Sequence, residues 1–201
     1  GKAKLEAELG VSKDKAKELF DIYHSKVPFV KQLTNKLMTA AQRNGKIKTI
    51  LNRKCRFPKY EPVLKGNDWG KYIPPQDHER MLELQAMGPH MKDEEGEFII
   101  DKDGNKQKNY WHENDSRRAF TYKALNKLIQ GSAADMTKKA MLELHKRGIT
   151  PHIQIHDELD ISIPLGEEDN SKDIIEVMEK AVELQIPNKV DYESGPNWGT
   201  I

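Results

Sequence analysis

The spacing of apolar positions predicts helices in the first quarter of the chain. It favours a short helix up to Gly10, a second helix that begins after Ser12, and a third over about residues 29–44. Residues 46–51 and 54–57 instead alternate polar with apolar, as strands do, on either side of a short turn. We therefore predict three helices followed by a hairpin.

Residues 59–110 have a different texture, rich in proline and glycine, and are interpreted as an insertion or subdomain. A helix is predicted over residues 77–87. Two short strands are expected to pair across residues 101–105. This loop begins like a calcium-binding loop, but Lys106 occupies its sixth position and His112 its twelfth, where glycine and glutamate are needed. A simple turn at Gly104 is the favoured interpretation.

The last third of the chain combines long apolar stripes with short alternating runs. The stripes predict a helix over about residues 116–146 and another that ends near residue 184. The alternating runs predict strands at 153–155, 159–163 and 190–192. The predicted capping residues are Asn114 or Asp115 for the first helix and Asp169 or Ser171 for the second. Residues 164–166 are predicted to close the second strand.

Ionisable residues occupy the tip of the hairpin at 153–163, where turns ordinarily use Asn-Gly or Asp-Gly. They are His156, Asp157 and Glu158. Adjacent carboxylates repel each other unless a cation lies between them, and oxygen ligands suit Mg²⁺ or Mn²⁺. On these residues alone, a divalent-metal site and a solvated acidic turn are both open.

The composition suits a soluble globular protein: 201 residues, 36% hydrophobic and 32% charged, with no apolar run that approaches a membrane span. No secretory signal opens the sequence. Cys55 is the one cysteine, which excludes a disulfide framework and a thiolate zinc site. We expect a reducing, intracellular compartment.

The net charge of +1 conceals an asymmetry. Residues 1–60 contain 15 Lys and Arg against 5 Asp and Glu, whereas the remainder contains 18 against 27. Nine basic residues and no acidic one lie between Lys31 and Tyr60. Such a stretch indicates contact with a polyanion, for which nucleic acid is the leading candidate and an acidic protein the alternative.

Tyr122, Asn126 and Gln130 are spaced four apart, so they share one face of the long predicted helix. Amides inside an apolar stretch are costly unless they form hydrogen bonds. They can be satisfied internally. They can also donate to purine N3 and pyrimidine O2 atoms in the minor groove of DNA, which gives contact without sequence preference.

Several motifs, taken in chain order, resemble the C-terminal part of a family A DNA polymerase. They are Asp21-Ile-Tyr23 before Pro28, Gly45-x-x-x-Thr49, Arg53-Lys54-x-Arg56-x-Pro58, Asn126-x-x-x-Gln130-Gly-Ser-Ala-Ala-Asp135, His156-Asp157-Glu158 and Gly195-x-Asn197-Trp198. The resemblance covers about residues 1–58 and 111–198. It favours the metal-site interpretation of the hairpin.

The resemblance implies an α+β fold. Residues 1–58 would be the C-terminal part of a helical fingers subdomain, residues 59–110 an insertion, and residues 111–201 the C-terminal half of the palm. In that palm an antiparallel sheet, packed on helices, carries the catalytic hairpin. The hairpin matches the family's motif C, in which the aspartate binds both catalytic metal ions.

By the same resemblance, each candidate residue takes a role. Asp157 binds metal, Glu158 lies close by in a lesser metal-binding role, and His156 sits near the primer end. Asn126 and Gln130 match minor-groove contacts, and Thr49, Arg53, Lys54 and Arg56 belong to a basic segment near the duplex. The implied cofactors are two Mg²⁺ ions, or Mn²⁺, and the partners are primer-template DNA and deoxynucleoside triphosphates.

The sequence also departs from the family pattern. Tyr122 stands where the family usually has a basic residue. Motif A with its second aspartate, and the helix that grips the nucleotide, lie upstream of the matched region. One aspartate cannot supply the ligands of two ions. We therefore expect the isolated chain to be inactive and to need an N-terminal polymerase part, either covalent or as a separate chain.

Three functional hypotheses follow. The first is a polymerase part that works with the half bearing motif A. The second is a non-catalytic polymerase remnant that binds DNA. The third, a metal-dependent nuclease or phosphatase, has less support because the sequence offers no further cluster of acids and histidines. The spacing around residues 124–126 resembles the phage branch, and for a phage or bacterial source we expect the bacterial cytoplasm.

Overall fold

The structure, a computed structural model, describes residues 2–164, 170–197 and 199. The helices are α1 (Lys2–Leu9), α2 (Lys13–Lys26), α3 (Pro28–Asn44), α4 (His78–Ala86), α5 (Ala124–Lys146) and α6 (Ser171–Lys180). The strands are β1 (Lys46–Lys48), β2 (Lys54–Arg56), β3 (Tyr60–Pro62), β4 (Ser116–Arg118), β5 (Ile153–Ile155) and β6 (Glu158–Asp160). They pair as β1 with β2, β3 with β4 and β5 with β6. The predicted α+β class is confirmed.

The start of α2 and both ends of α3 agree with the sequence because local residues determine them. Ser12 accepts a hydrogen bond from the Lys15 N–H at 3.3 Å and so begins α2. Helix α3 begins at Pro28 and ends at Gly45, whose φ of +66° suits a glycine. The predicted hairpin after α3 forms with shorter strands than expected, and Asn52 adopts a φ of +64° at its turn.

The chain divides into two compact units. The first contains Gly1–Ile47 and Lys54–Leu125, and the second contains Lys48–Arg53 and Asn126–Ile201. The core of the first is built on Met81, Leu84 and Trp111, with Tyr60, Ile73, Met87 and Met91 packed against it. The core of the second is built on Leu144, Ile174 and Val177, with Ile149, Leu159, Ile161 and Met178 packed against it. No helix in the described ranges is long and apolar enough to span a bilayer.

The long helix begins later than the sequence predicts. Residues 116–118 form β4, which pairs antiparallel with β3 so that Tyr60 faces Arg118. Phe120 then adopts a φ of +61°, and a single 3-10 turn leads into α5 at Ala124. The predicted start at residue 116 is therefore wrong, because pairing with a distant strand overrides local helical propensity.

Residues 59–110 contain the predicted helix and the predicted turn. Asp77 caps α4 by accepting a hydrogen bond from the Arg80 N–H at 2.9 Å. At the turn, the Gly104 N–H donates to the Asp101 carbonyl at 3.1 Å, and Gly104 has a φ of +81°. The Asp101 carboxylate accepts from the Asn105 N–H at 2.9 Å. The interpretation as a simple glycine turn, rather than a calcium loop, fits this geometry.

The C-terminal elements are shorter than predicted. Strand β6 ends at Asp160, and α6 runs from Ser171, with Asn170 at its N-cap position, to Lys180. Residues 190–192 form no strand. The predicted cap Asp169, the turn residues Leu165 and Gly166, and Trp198 of the closing motif lie outside the described residues.

Candidate functional site

The hairpin of β5 and β6 turns through two residues. Ile155 is the register partner of Glu158, so the tip is His156-Asp157, and Glu158 already belongs to a strand. His156 has a φ of +52°, which is uncommon for a residue with a side chain and costs about 1–2 kcal/mol. The Gln154 amide donates to the His156 carbonyl at 2.5 Å and closes the turn.

The two strands of the hairpin differ in burial. Leu159 on β6, followed by Ile161, packs against the core of the second unit and anchors the hairpin there. On β5, Ile153 and Ile155 remain 39% and 40% exposed. Strand β6 is therefore partly buried, whereas β5 is exposed.

The tip presents its ionisable side chains to solvent. His156, Asp157 and Glu158 are all exposed. Asp160 follows on the same face of β6 as Glu158, and its Oδ2 atom is buried without a hydrogen-bond partner in the described part of the chain. Within that part, no group of three or more His, Cys, Asp or Glu residues could hold a metal ion. The hairpin thus offers an acidic surface but not a complete metal site.

The two amides predicted to contact DNA lie one turn apart on α5. Asn126 and Gln130 are both exposed, which leaves them accessible to a ligand rather than satisfied in a core. Tyr122, in contrast, belongs to the 3-10 turn before the helix and is 64% exposed. The three residues predicted to share one helix face are therefore not all helical. Asn126 and Gln130 lie on α5, and Tyr122 precedes the helix.

Thr49 and Arg53 are held together by a carboxylate on α5. The Thr49 hydroxyl donates to Asp135, and Arg53 Nε donates to the same carboxylate at 2.5 Å. Arg53 also donates to the Gly131 carbonyl at 2.7 Å. Thr49 is 5% exposed, so its hydroxyl serves this network and is not presented to a nucleic acid.

The Asp135 side chain is buried, and its partners determine its ionisation. Burial acts most strongly and would raise the pKa, but the hydrogen bonds from Thr49 and Arg53, with the charge of Arg53, outweigh burial. The pKa of Asp135 is therefore lowered, and the carboxylate is ionised at neutral pH. A buried carboxylate with a neighbouring guanidinium is a strong constraint on the side chain that pairs with it.

The other basic residues of the predicted DNA-binding segment lie on β2, in the first unit. Lys54 and Arg56 are exposed, on either side of the half-buried Cys55. In a strand, alternate residues point to the same face, so Lys54 and Arg56 share a face. Their placement agrees with the prediction of an exposed basic segment.

Asp135 closes one of the motifs found in the sequence, but no role was predicted for it. It directly follows residues 131–134, a run of small residues that allows another segment to approach closely. The structure supplies that segment, because the Ile50 N–H donates to Ser132 Oγ at 3.1 Å. The position of a carboxylate directly after a run of small residues was the feature of the sequence that could have indicated a role for Asp135.

Comparison with known proteins gives a consistent result. The family model described as DNA polymerase family A matches residues 1–200. A DNA-directed DNA polymerase of Pseudomonas phage M6 is 31% identical over 181 residues, which are 90% of this chain and 19% of that protein. DNA polymerase I of Geobacillus stearothermophilus is 28% identical over 198 residues, which are 94% of this chain and 17% of that protein. The chain thus spans less than a fifth of either relative.

Two further similarities concern a shorter stretch of the chain and the fold. DNA polymerase I of Bacillus subtilis is 45% identical over 82 residues, 37% of this chain and 9% of that protein. Among solved structures, the POL domain of Pol1 from M. smegmatis, in complex with DNA primer-template and dNTP, is similar with a TM-score of 0.57 and 21% identity. That similarity covers 93% of this chain and 26% of the other.

Proposed function

Because the chain belongs to DNA polymerase family A, we propose that it forms the C-terminal part of a DNA-directed DNA polymerase. Such an enzyme transfers nucleotides from deoxynucleoside triphosphates to a primer 3′-hydroxyl under the direction of a template. The family match over residues 1–200 carries the proposal. The exposed His156-Asp157 tip supports it, because the predicted catalytic residues occupy an accessible and strained turn.

Asp157 and Glu158 would hold divalent cations, for which exposed carboxylate oxygens are suitable ligands. When bound, Mg²⁺ or Mn²⁺ ions activate the primer hydroxyl and stabilise the leaving pyrophosphate. The described part of the chain offers no third ligand in a common cluster. We therefore propose that another polypeptide segment supplies the second aspartate, and that the isolated chain is inactive.

The exposed face of the hairpin supports docking of that segment. Ile153 and Ile155 are about two-fifths exposed on a strand that pairs on one side with β6. A two-stranded hairpin is marginally stable by itself, and an uncovered apolar edge favours pairing with a further strand. A strand added at this edge would pair with the backbone of β5 and bring its own side chains beside those of the hairpin.

Other residues of the chain would bind and orient DNA. Asn126 and Gln130 would donate hydrogen bonds to the minor groove, and Lys54 and Arg56 would contact phosphate oxygens. The exposed His156 imidazole would lie at the primer end. In this proposal residues 1–58 are part of the fingers, residues 59–110 an insertion, and residues 111–201 part of the palm.

The alternative is a non-catalytic chain that binds DNA, which the incomplete metal cluster favours. Primer extension distinguishes the two, with the chain joined to the upstream part of its polymerase or mixed with that part. Asp157→Asn should abolish extension while leaving the affinity for primer-template nearly unchanged. The matched control is Asp191→Asn, an exposed aspartate of the same unit. Equal extension by both variants would favour the non-catalytic alternative.

A further inference from the structure

We propose that Asp135 is a positioning residue, which holds the Arg53 side chain in the orientation from which it contacts the phosphate backbone of DNA. The inference rests on the proposed function, since it requires that the chain bind a nucleic acid duplex. It adds a role for a buried carboxylate that itself lies too deep to contact a ligand. The geometry of the turn at residues 49–53 carries it.

The guanidinium of Arg53 is tied at two nitrogens to acceptors on α5. Nε donates to Asp135 Oδ1 at 2.5 Å, and Nη2 donates to the Gly131 carbonyl at 2.7 Å. The two acceptors lie four residues apart, so they face the same side of the helix. Two directional bonds to a rigid helix fix the plane of the guanidinium as well as its position.

The same carboxylate also holds the backbone from which Arg53 projects. Thr49 Oγ1 donates to Asp135 and accepts from the Arg53 N–H at 3.1 Å. The Thr49 N–H donates to the Arg53 carbonyl at 3.0 Å, which closes the turn. Asp135 therefore constrains Arg53 twice, through its side chain and through the Thr49 hydroxyl.

The two residues of this ion pair differ in exposure: Asp135 is buried, and Arg53 is accessible to solvent. The side chain of Asp135 is 6% exposed, whereas that of Arg53 is 48% exposed. A ligand can therefore reach the arginine but not the aspartate. Immobilising a long side chain at an interface costs conformational entropy, and a side chain already held by Asp135 avoids most of that cost.

The direction in which one substitution changes the affinity for DNA distinguishes a positioning role from a simple electrostatic effect. Removing a negative charge near DNA should by itself strengthen binding, because repulsion of the phosphates is lost. If Asp135 positions Arg53, Asp135→Asn should instead weaken binding by about 2–10-fold, because the long Arg53 side chain must then be immobilised on binding. Glu143→Gln is the matched control, since Glu143 is another paired carboxylate on α5 whose partners are Lys139 and Lys146.

The experiment measures the affinity of the full chain for a primer-template duplex with four proteins. They are the unsubstituted chain, Asp135→Asn, Arg53→Gln and the double variant. We expect each single substitution to weaken binding and the double variant to bind as Arg53→Gln alone, because Asp135 acts through Arg53. A merely structural role would give the same loss in both backgrounds. Thr49→Val, which removes one hydroxyl, should weaken binding, and Thr49→Ser should restore it.

Three outcomes would overturn this inference without affecting the proposed function. The first is unchanged or tighter binding by Asp135→Asn, and the second is additive losses in the double variant. The third is no effect of Arg53→Gln on binding while Lys54→Ala still weakens it. Failure of the unsubstituted chain to bind the duplex would count against the proposed function and remove the inference with it. If Asp135→Asn fails to fold, Thr49→Val and Thr49→Ser give the same test on a milder change.

Discussion

Gly45, which follows α3, lies directly against the guanidinium of Arg118. A Cβ atom added to Gly45 would lie 2.7 Å from Arg118 Cζ, closer than carbon atoms pack. Arg118 is not free to move away, because it donates to the Phe57 carbonyl at 3.0 Å and stacks on Tyr60 at 4.9 Å. The backbone at the end of α3 therefore packs closely against Arg118, the last residue of β4.

The first prediction is that Gly45→Ala lowers the free energy of unfolding by about 2 kcal/mol or more. A φ of +66° costs a side chain about 1–2 kcal/mol, and displacement of Arg118 adds to this. Gly66→Ala is the control, since Gly66 has a φ of +58° and open space around it. Chemical denaturation measures both, and equal losses would mean that the contact with Arg118 contributes nothing.

The second prediction concerns the core that supports the hairpin. Leu144 is fully buried with Ile174 and Val177, and Leu159 of β6 packs on this cluster. Leu144→Ala should lower the free energy of unfolding by about 2–5 kcal/mol, because it leaves a cavity. Leu142→Ala, on the same helix but 49% exposed, should cost less than about 1 kcal/mol. Similar losses in urea denaturation would contradict the described core.

The third prediction is a pH dependence of stability that belongs to Asp135. The folded state lowers its pKa below the ordinary 3.8, so the unfolded chain binds the proton more readily. Its stabilising contribution is therefore complete above pH 3.8 and is lost as the pH falls through the folded value. Thermal unfolding should show a steeper loss below that pH for the unsubstituted chain than for Asp135→Asn. Parallel profiles would contradict this linkage.

The fourth prediction tests the exposed amides of α5. Asn126→Ala and Gln130→Ala should each weaken binding to primer-template by about 2–10-fold, because each removes a hydrogen bond worth about 0.5–1.5 kcal/mol. The loss should be similar for duplexes of different sequence, since minor-groove acceptors are shared by the base pairs. Gln185→Ala, an exposed amide of the same unit, is the control. A sequence-dependent loss would contradict minor-groove contact.

Local signals in the sequence were sufficient where a cap or a turn residue decides the structure. The predicted starts of α2 and α4 and the predicted end of α3 agree with the structure to within a residue or so, and Ser12, Asp77 and Gly45 cap these ends. The alternation around residues 153–160 placed this hairpin, with β5 at its predicted bounds and β6 shorter than the predicted strand at 159–163. These features depend on neighbours in the chain, which a sequence pattern records.

Contacts between distant residues could not be predicted in the same way. Residues 116–118 were predicted as the start of a helix, yet they pair with residues 60–62, more than 50 positions away. Asp135 was recognised as part of a motif on the long helix, but its partners Thr49 and Arg53 are more than 80 positions away. Nothing in the local pattern specifies such a partner, because tertiary contacts decide between alternatives of similar local propensity.

The most direct test of the central claim is to recover the chain from its source through a C-terminal tag and determine its intact mass under native and denaturing conditions. We predict that it is recovered within a longer polypeptide, or bound to a second one, and that this species extends a primer in Mg²⁺. Recovery of the 23.1-kDa chain alone, without primer extension, would contradict the proposal that Asp157 works in a polymerase.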